Sequence, residues 1–302
     1  MKKFLFSFLF IFLVFCLFSS RPALATVGSI EIDSPTSANK AYVTANNDVT
    51  VNYTFTSNAN VGYTGFIYLK QNNITVAQNN ITADFGIGTF SSSGTVNVGV
   101  LSEGLYDLEI ILSTASASNS SSVVIDNTPP TALTVLYPSA DKIALQGNSV
   151  SAITWTATSH DVNFGTTPIG VFYSSSGTFL NPVNVANLPA SATSTAWTVP
   201  GVSTNTAKVL VRAIDLAGNY SFDESNYAFT IDAVAPSVSS ATASPDPAND
   251  TSVTVTVVFD EVMNIAVSPT VTVPSLGFPM SVTQSTYTGS TWTGTLTIPD
   301  TN

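Results

Sequence analysis

The sequence predicts an all-β chain, a tandem array of β-sandwiches of which the third is incomplete. Three observations carry that expectation. Apolar and polar residues alternate through several short segments, the mark of strands with one face buried. Two of those segments recur at intervals of about one hundred residues, the length of one sandwich. Hydrophobic residues make up 44% of the 302 residues and charged residues only 9%, and Ser, Thr, Asn and Val fill much of the rest, a composition suited to pleated surfaces.

The first 25 residues follow the secretory pattern. Lys2 and Lys3 precede an apolar run from Phe4 to Phe18, and Ser19 to Pro22 lead into Ala23-Leu24-Ala25, with cleavage expected after Ala25. That run is shorter than the ~20 residues a spanning helix needs, so no membrane span is expected after cleavage. Phe15 is too bulky for lipoprotein processing at Cys16. Removing the leader removes Cys16, the only cysteine, so the mature chain can form no disulfide and no thiolate metal site. Three of the eight basic residues leave with it, and five then face nineteen acidic ones. Nucleic acid and anionic membranes are poor partners for such a surface, and no nucleic acid is expected to bind.

Val49, Val51, Tyr53 and Phe55 alternate with Thr50, Asn52 and Thr54, and Val253, Val255, Val257 and Phe259 repeat the phase. Ile153-Thr154-Trp155-Thr156-Ala157 lies between them, so that Phe55, Ala157 and Phe259 stand 102 residues apart. A second strand shows nearly the same offset: Tyr106, Leu108, Ile110 and Leu112 match Ala207, Val209, Val211 and Ala213, with Asp107, Glu109, Lys208 and Arg212 facing outward. Boundaries repeat as well. An apolar strand stops at Asp126 or Asp232 and a proline, Pro130 or Pro236, follows four residues later, where it stiffens the chain and ends pairing. The domains are placed at 27–127, 128–234 and 235–302, the last being too short for a whole sandwich and read as truncated.

Trp197-Thr198-Val199-Pro200, the run Ala207 to Asn219, and Phe229-Thr230-Ile231-Asp232 resemble the bacterial immunoglobulin-like and fibronectin type III-like modules of secreted proteins. Val253 to Glu261 and Trp292-Thr293-Gly294-Thr295 resemble the related immunoglobulin-like repeats of S-layer-type and adhesin-type surface proteins. The first unit matches in its alternation, its Gly104-Leu105-Tyr106 strand start and its linker. The resemblance implies tandem immunoglobulin-like sandwiches in a secreted or cell-surface protein; modules of this kind serve as adhesins, surface layers and spacers, so it implies no single ligand.

No enzyme is expected. A serine-type nucleophile needs a base, and the single histidine, His160, stands in a loop sequence, Ser159-His160-Asp161-Val162-Asn163, with no nucleophile-elbow motif anywhere. No Gly-rich phosphate loop is present, and zinc would need more His or Cys. Asp223-Glu224 and Asp260-Glu261 are adjacent pairs whose side chains point to opposite faces of a strand, not across a cleft as glycoside hydrolysis requires. Trp155 and Trp292 fall on the core phase of their strands, whereas Trp197 lies near a strand end.

Calcium at the domain junctions is the one cofactor the residues suggest. An incoming linker meets the loops after the second and sixth strands of the next sandwich, which would bring Asp126 toward Asp161 and toward Asp215 and Asn219. At the next junction Asp232 would meet Asp260 and Glu261. Carboxylate and amide oxygens are hard ligands suited to Ca²⁺. The first domain has Thr114 where Asp215 stands in the second, so acidic loops accompany junctions. The alternative is that Asp215-Leu216-Ala217-Gly218-Asn219 simply forms a turn, with Asp and Asn bonded to local backbone and Gly at positive φ.

The expected role is a non-enzymatic secreted or cell-surface protein whose sandwiches act as stalk, spacer or adhesion module, toward an unidentified protein or glycan ligand. The alternative is a non-catalytic accessory region, spacer or carbohydrate-binding, of a secreted hydrolase. Tyr63, Phe66 and Tyr68 are the candidates for a sugar platform, although alternation puts Phe66 and Tyr68 on one face, expected to be the core.

Overall fold

A computed structural model describes residues 27–297, apart from 114, 159–162, 245–251 and 275–278. The leader with Cys16, the comparison position Thr114, and His160 and Asp161 therefore lie outside the described residues.

Among the described residues every regular element is a β-strand. In the first sandwich β1 (Val27–Ser34), β3 (Asp48–Ser57) and β6 (Gly88–Asn97) form one sheet in the order β1-β3-β6. The facing sheet runs β2-β8-β7-β4-β5, from β2 (Ala41–Val43), β4 (Val61–Gln71), β5 (Ile74–Phe85), β7 (Gly104–Leu112) and β8 (Ala115–Ile125). All pairings are antiparallel except that of β2 with β8. The alternation in the sequence sets this packing: Val49, Val51, Tyr53 and Phe55 of β3 and Tyr106, Leu108, Ile110 and Leu112 of β7 are all buried against one another. Phe55 is the hub of an aromatic group, with Phe85 at 4.8 Å and edge-on Tyr63 at 6.3 Å between ring centroids.

The second sandwich comprises β9 (Val135–Tyr137), β10 (Ala144–Gln146), β11 (Val150–Trp155), β12 (Ile169–Ser174), β13 (Val183–Leu188), β14 (Ser194–Thr198), β15 (Thr204–Ile214), β16 (Tyr220–Glu224) and β17 (Phe229–Asp232). Its sheets, β9-β11-β14 and β10-β17-β15-β12-β13, repeat the first sandwich strand for strand, down to the parallel pairing of β10 with β17. β16 adds a further pairing to β15. The register repeats as well: Asn52 pairs with Ser34, and Thr154, 102 residues on, pairs with Tyr137. Ala157 departs from the expected phase, because β11 stops at Trp155 and leaves Ala157 exposed. Ala207, Val209, Val211 and Ala213 are buried with Trp155, and Trp197 joins that core despite its place near a strand end.

Beyond Asp232 lie β18 (Val238–Ser244), β19 (Ser252–Phe259), β20 (Thr272–Pro274), β21 (Pro279–Ser281), β22 (Thr283–Thr288) and β23 (Thr291–Thr297). The order β18-β19-β23 repeats β1-β3-β6 with β22 added at its edge, and β20 pairs with β21 alone. Its core is small, centred on Val255, Val257, Tyr287 and Trp292, and the indole of Trp292 donates to Gln284 Oε1 at 2.9 Å. β18 is exposed along its whole length.

Candidate functional site

The segment Asp126-Asn127-Thr128 leaves β8 and is bonded on both sides. Toward the first sandwich, Asp126 N–H donates to Val43 O at 2.9 Å, Ala45 N–H donates to Asn127 Oδ1 at 2.6 Å, and Glu103 Oε1 accepts from Asn127 N–H and the Thr128 hydroxyl at 3.0 and 2.5 Å. Toward the second, Asn163 Nδ2 donates to Asp126 Oδ2 at 2.6 Å and Asn219 Nδ2 donates to Asp126 O at 2.9 Å. The structure thus brings together three of the four residues expected at this junction, Asp126, Asp215 and Asn219; the fourth, Asp161, is outside the described residues.

The turn chemistry is formed. Asp215 caps the link between β15 and β16: its Oδ1 accepts from Asn219 N–H and its Oδ2 from Asn219 Nδ2, both at 2.8 Å, and Gly218 takes φ +91°, a conformation costly for any residue with a Cβ. Asp126 and Asp215 are both buried, each 6% exposed. A buried carboxylate is costly unless its oxygens are met. Here all four are met, Asp126 Oδ1 by Thr128 N–H at 3.1 Å and the other three by Asn163 and Asn219. The amides of Asn163 and Asn219 serve as donors in this arrangement, so the two carboxylates are compensated by N–H groups. No group of three or more His, Cys, Asp or Glu able to hold a metal ion occurs among the described residues. Glu103 and Asn163 are the members of this clamp that spacing did not reveal; Glu103 stands just before the Gly104 strand start, and only the fold carries it to the linker.

The second junction is built differently. Asp260 is tied to Ser237, whose N–H and hydroxyl donate to its two oxygens at 2.8 and 2.7 Å, and these bonds hold its carboxyl below the usual carboxylate range. Asp232 Oδ1 accepts from Val234 N–H at 3.1 Å. Glu261 faces Asp232; withdrawal from water first, then the charges of Asp232 and Asp260, push its carboxyl up. Asp232, Glu261, Val234, Pro236 and the edge of β10 line a shallow hollow of about 250 Å³. Two carboxyls meeting with no amide between them repel unless one holds a proton.

The sugar-platform candidates divide against expectation. Tyr63 is buried, its hydroxyl 2.7 Å from Ser57 Oγ, whereas Phe66 is exposed and stacks on half-buried Tyr68 at 5.6 Å on the outer face of β4. Phe66-Ile67-Tyr68-Leu69 is apolar in both phases, and the choice falls to Ile67 and Leu69 because they pair with Ile110 and Leu108 of β7.

No family model matches the chain, and no curated protein matches it. Among solved structures it is similar to the crystal structure of chicken CNTN1 FN1–FN3 domains, at 13% identity and TM-score 0.34, over 60% of this chain and 61% of that one. The strand order and register described above carry the fold: the chain is a tandem array of β-sandwiches of the immunoglobulin and fibronectin III kind.

Proposed function

We propose that this is a non-enzymatic secreted or cell-surface protein whose tandem sandwiches act as a stalk, spacer or adhesion module. The observation that carries the proposal is the clamp at Asp126-Asn127-Thr128, where one tripeptide is hydrogen-bonded to Val43, Ala45 and Glu103 on one side and to Asn163 and Asn219 on the other. A linker with its backbone and side chains so engaged resists bending, and inter-domain motion is the default only where such contacts are few. Spacers need that property; catalysis does not explain it. Pro129 and Pro130, directly after the clamp, restrict the chain further. The secretory pattern of residues 1–25 supports an extracellular setting.

Small-angle scattering on the full chain tests the proposal. The unaltered protein should fit a narrow distribution of dimensions, and the double variant Glu103→Ala/Asn219→Ala a broader one at unchanged secondary structure. A profile of the unaltered chain that already requires freely jointed first and second sandwiches overturns it.

A further inference from the structure

The outer face of the second sandwich carries an open cleft of about 280 Å³ lined by Phe172, Phe179, Pro182, Leu210, Arg212, Tyr220 and Phe222. Tyr220 and Phe222, both more than half exposed, stand 6.2 Å apart along β16 with their rings tilted by 34°. Arg212 lies over the Phe172 ring, its Cζ 5.5 Å from the centroid. Gly170 leaves room for that ring, since a Cβ there would stand 2.8 Å from it.

The first sandwich provides an internal comparison. Its β4 and β7 correspond to β12 and β15, and the outer face again shows a cation over an aromatic ring, Lys70 Nζ 5.8 Å from the centroid of Tyr68. There the cation is neutralised: Tyr68 stands opposite Glu109 across the strands, and Lys70 pairs with Glu109 at 2.5 Å. In the second sandwich the residue opposite the aromatic, Phe172, is Leu210. Arg212 forms no ion pair among the described residues, and its Nε is buried without a hydrogen-bond partner. The nearby acids are engaged elsewhere, Glu224 with Lys208 at 2.9 Å and Asp223 with Val135 N–H at 2.7 Å. The counter-charge present in one repeat is therefore missing in the other, beside a surface of exposed rings.

We infer that this cleft binds a carboxylate-bearing sugar, a uronic-acid residue of a glycan, whose ring lies on Tyr220 and Phe222 and whose carboxylate pairs with Arg212. A guanidinium held over an aromatic ring, as Arg212 is over Phe172, offers its terminal nitrogens as a fork for a carboxylate. Sugar rings present apolar C–H faces to aromatic platforms, and the cleft has the size of one or two such rings rather than of a long groove. Its lining side chains belong to the outer face of the sheet, but β16 pairs with β15 alone and leaves its other edge open, so an acidic peptide is the competing occupant that the experiment must separate from a sugar. The excess of acid over the whole chain opposes an anion only weakly here, because salt screens charges beyond about 8 Å at physiological ionic strength. The inference is separate from the spacer proposal: it is read by ligand binding and the other by scattering, so each can fail alone.

Isothermal titration calorimetry of the full chain with trigalacturonate tests it, with the methyl-esterified trisaccharide and an acidic tripeptide as comparisons. Saturable binding of trigalacturonate is expected, weaker by about tenfold or more for the ester and for Arg212→Gln, since each removes one half of a charge-assisted pair. Tyr220→Ala and Phe222→Ala should weaken it several-fold; both side chains are largely exposed, so the fold tolerates their loss. Leu210→Glu sets a carboxylate opposite Phe172, as Glu109 stands opposite Tyr68 in the first sandwich, two residues along β15 from Arg212, and should abolish binding. No binding at millimolar trigalacturonate, equal binding of the ester, indifference to Arg212→Gln, or preference for the tripeptide overturns the assignment.

Discussion

The side-chain amide of Asn219 donates to the main-chain oxygen of Asp126 at 2.9 Å, joining residues 93 positions apart, while the same nitrogen reaches Asp215 Oδ2 at 2.8 Å. One amide thus closes the β15–β16 turn and fastens the preceding linker to it. Asn219→Ala leaves a buried carbonyl and a buried carboxylate oxygen short of a donor, a loss of about 1–3 kcal/mol. Urea unfolding of the full chain should show the second sandwich destabilised by that amount, and Asn219→Asp, which sets a third carboxylate beside two others, should do worse at neutral pH than at pH 5.

Calcium at this junction has a direct readout. Because an N–H already meets each carboxylate oxygen of Asp126 and Asp215, melting of the unaltered chain should be the same in EDTA and in millimolar Ca²⁺. A rise of several degrees in Ca²⁺, lost in Asp126→Ala, would place a cation among these oxygens and show that the amides of Asn163 and Asn219 turn their carbonyl oxygens inward.

At the second junction the two acids respond to pH with opposite sign. Glu261 is raised, so between the ordinary glutamate value of 4.5 and its own higher folded value the folded junction binds more proton than the unfolded chain, and acidification through that window favours the folded contact. Asp260 is lowered by Ser237, so its contribution is full above the ordinary aspartate value of 3.8 and is lost as pH falls through its own lower value. Stability of the third unit should therefore rise as the pH falls through the raised value of Glu261 toward 4.5, and fall in acid stronger than the ordinary aspartate value of 3.8. Glu261→Gln should remove the rise and keep the fall, and Ser237→Ala should weaken the fall; a pH profile unchanged by either substitution contradicts this account.

Tyr173 is buried beside Trp197, 5.2 Å between ring centroids, and its hydroxyl has no hydrogen-bond partner. Burial raises its pKa, so the phenol stays neutral. A buried hydroxyl without a partner carries a desolvation cost and returns nothing, so Tyr173→Phe should leave stability unchanged or raise it by up to about 1 kcal/mol. A loss of more than that in thermal melts would mean that the hydroxyl is hydrogen-bonded in solution.

Much of this fold could be read from spacing. The β3 and β7 phases and their recurrence in β11 and β15 followed from alternation because one face of each strand is polar. β4 could not be phased that way, since Phe66, Ile67, Tyr68 and Leu69 are all apolar and only pairing with β7 decides. At the first junction Asp126, Asp215 and Asn219 were legible because acids and amides stood at a boundary and in a turn sequence. Glu103 and Asn163 were not, because their role comes from strands separated widely in sequence being laid side by side. The cleft at Arg212 was hidden for a related reason: the missing counter-charge is visible only once Leu210 and Glu109 are known to occupy the same place in two repeats.

That equivalence extends to the inner face, where the same cross-strand pair is filled in opposite ways. Gly65 of β4 stands opposite Leu112 of β7, whereas Ile169 of β12 stands opposite Ala213 of β15. Each sandwich keeps one large and one small residue at this place, as close packing of facing sheets demands. Gly65 has no latitude for a side chain, since a Cβ there would come within 2.1 Å of Ile111 O and 2.9 Å of Leu112 Cα, and backbone atoms cannot move aside without parting β4 from β7. Gly65→Ala should therefore cost about 1–3 kcal/mol or more, as overpacking does, despite adding a single methyl group. Ala213→Gly in the second sandwich should cost less, because it adds no clash and Ile169 remains to fill the space. Equal losses for the two variants in urea unfolding would show that the pair is not governed by its combined volume.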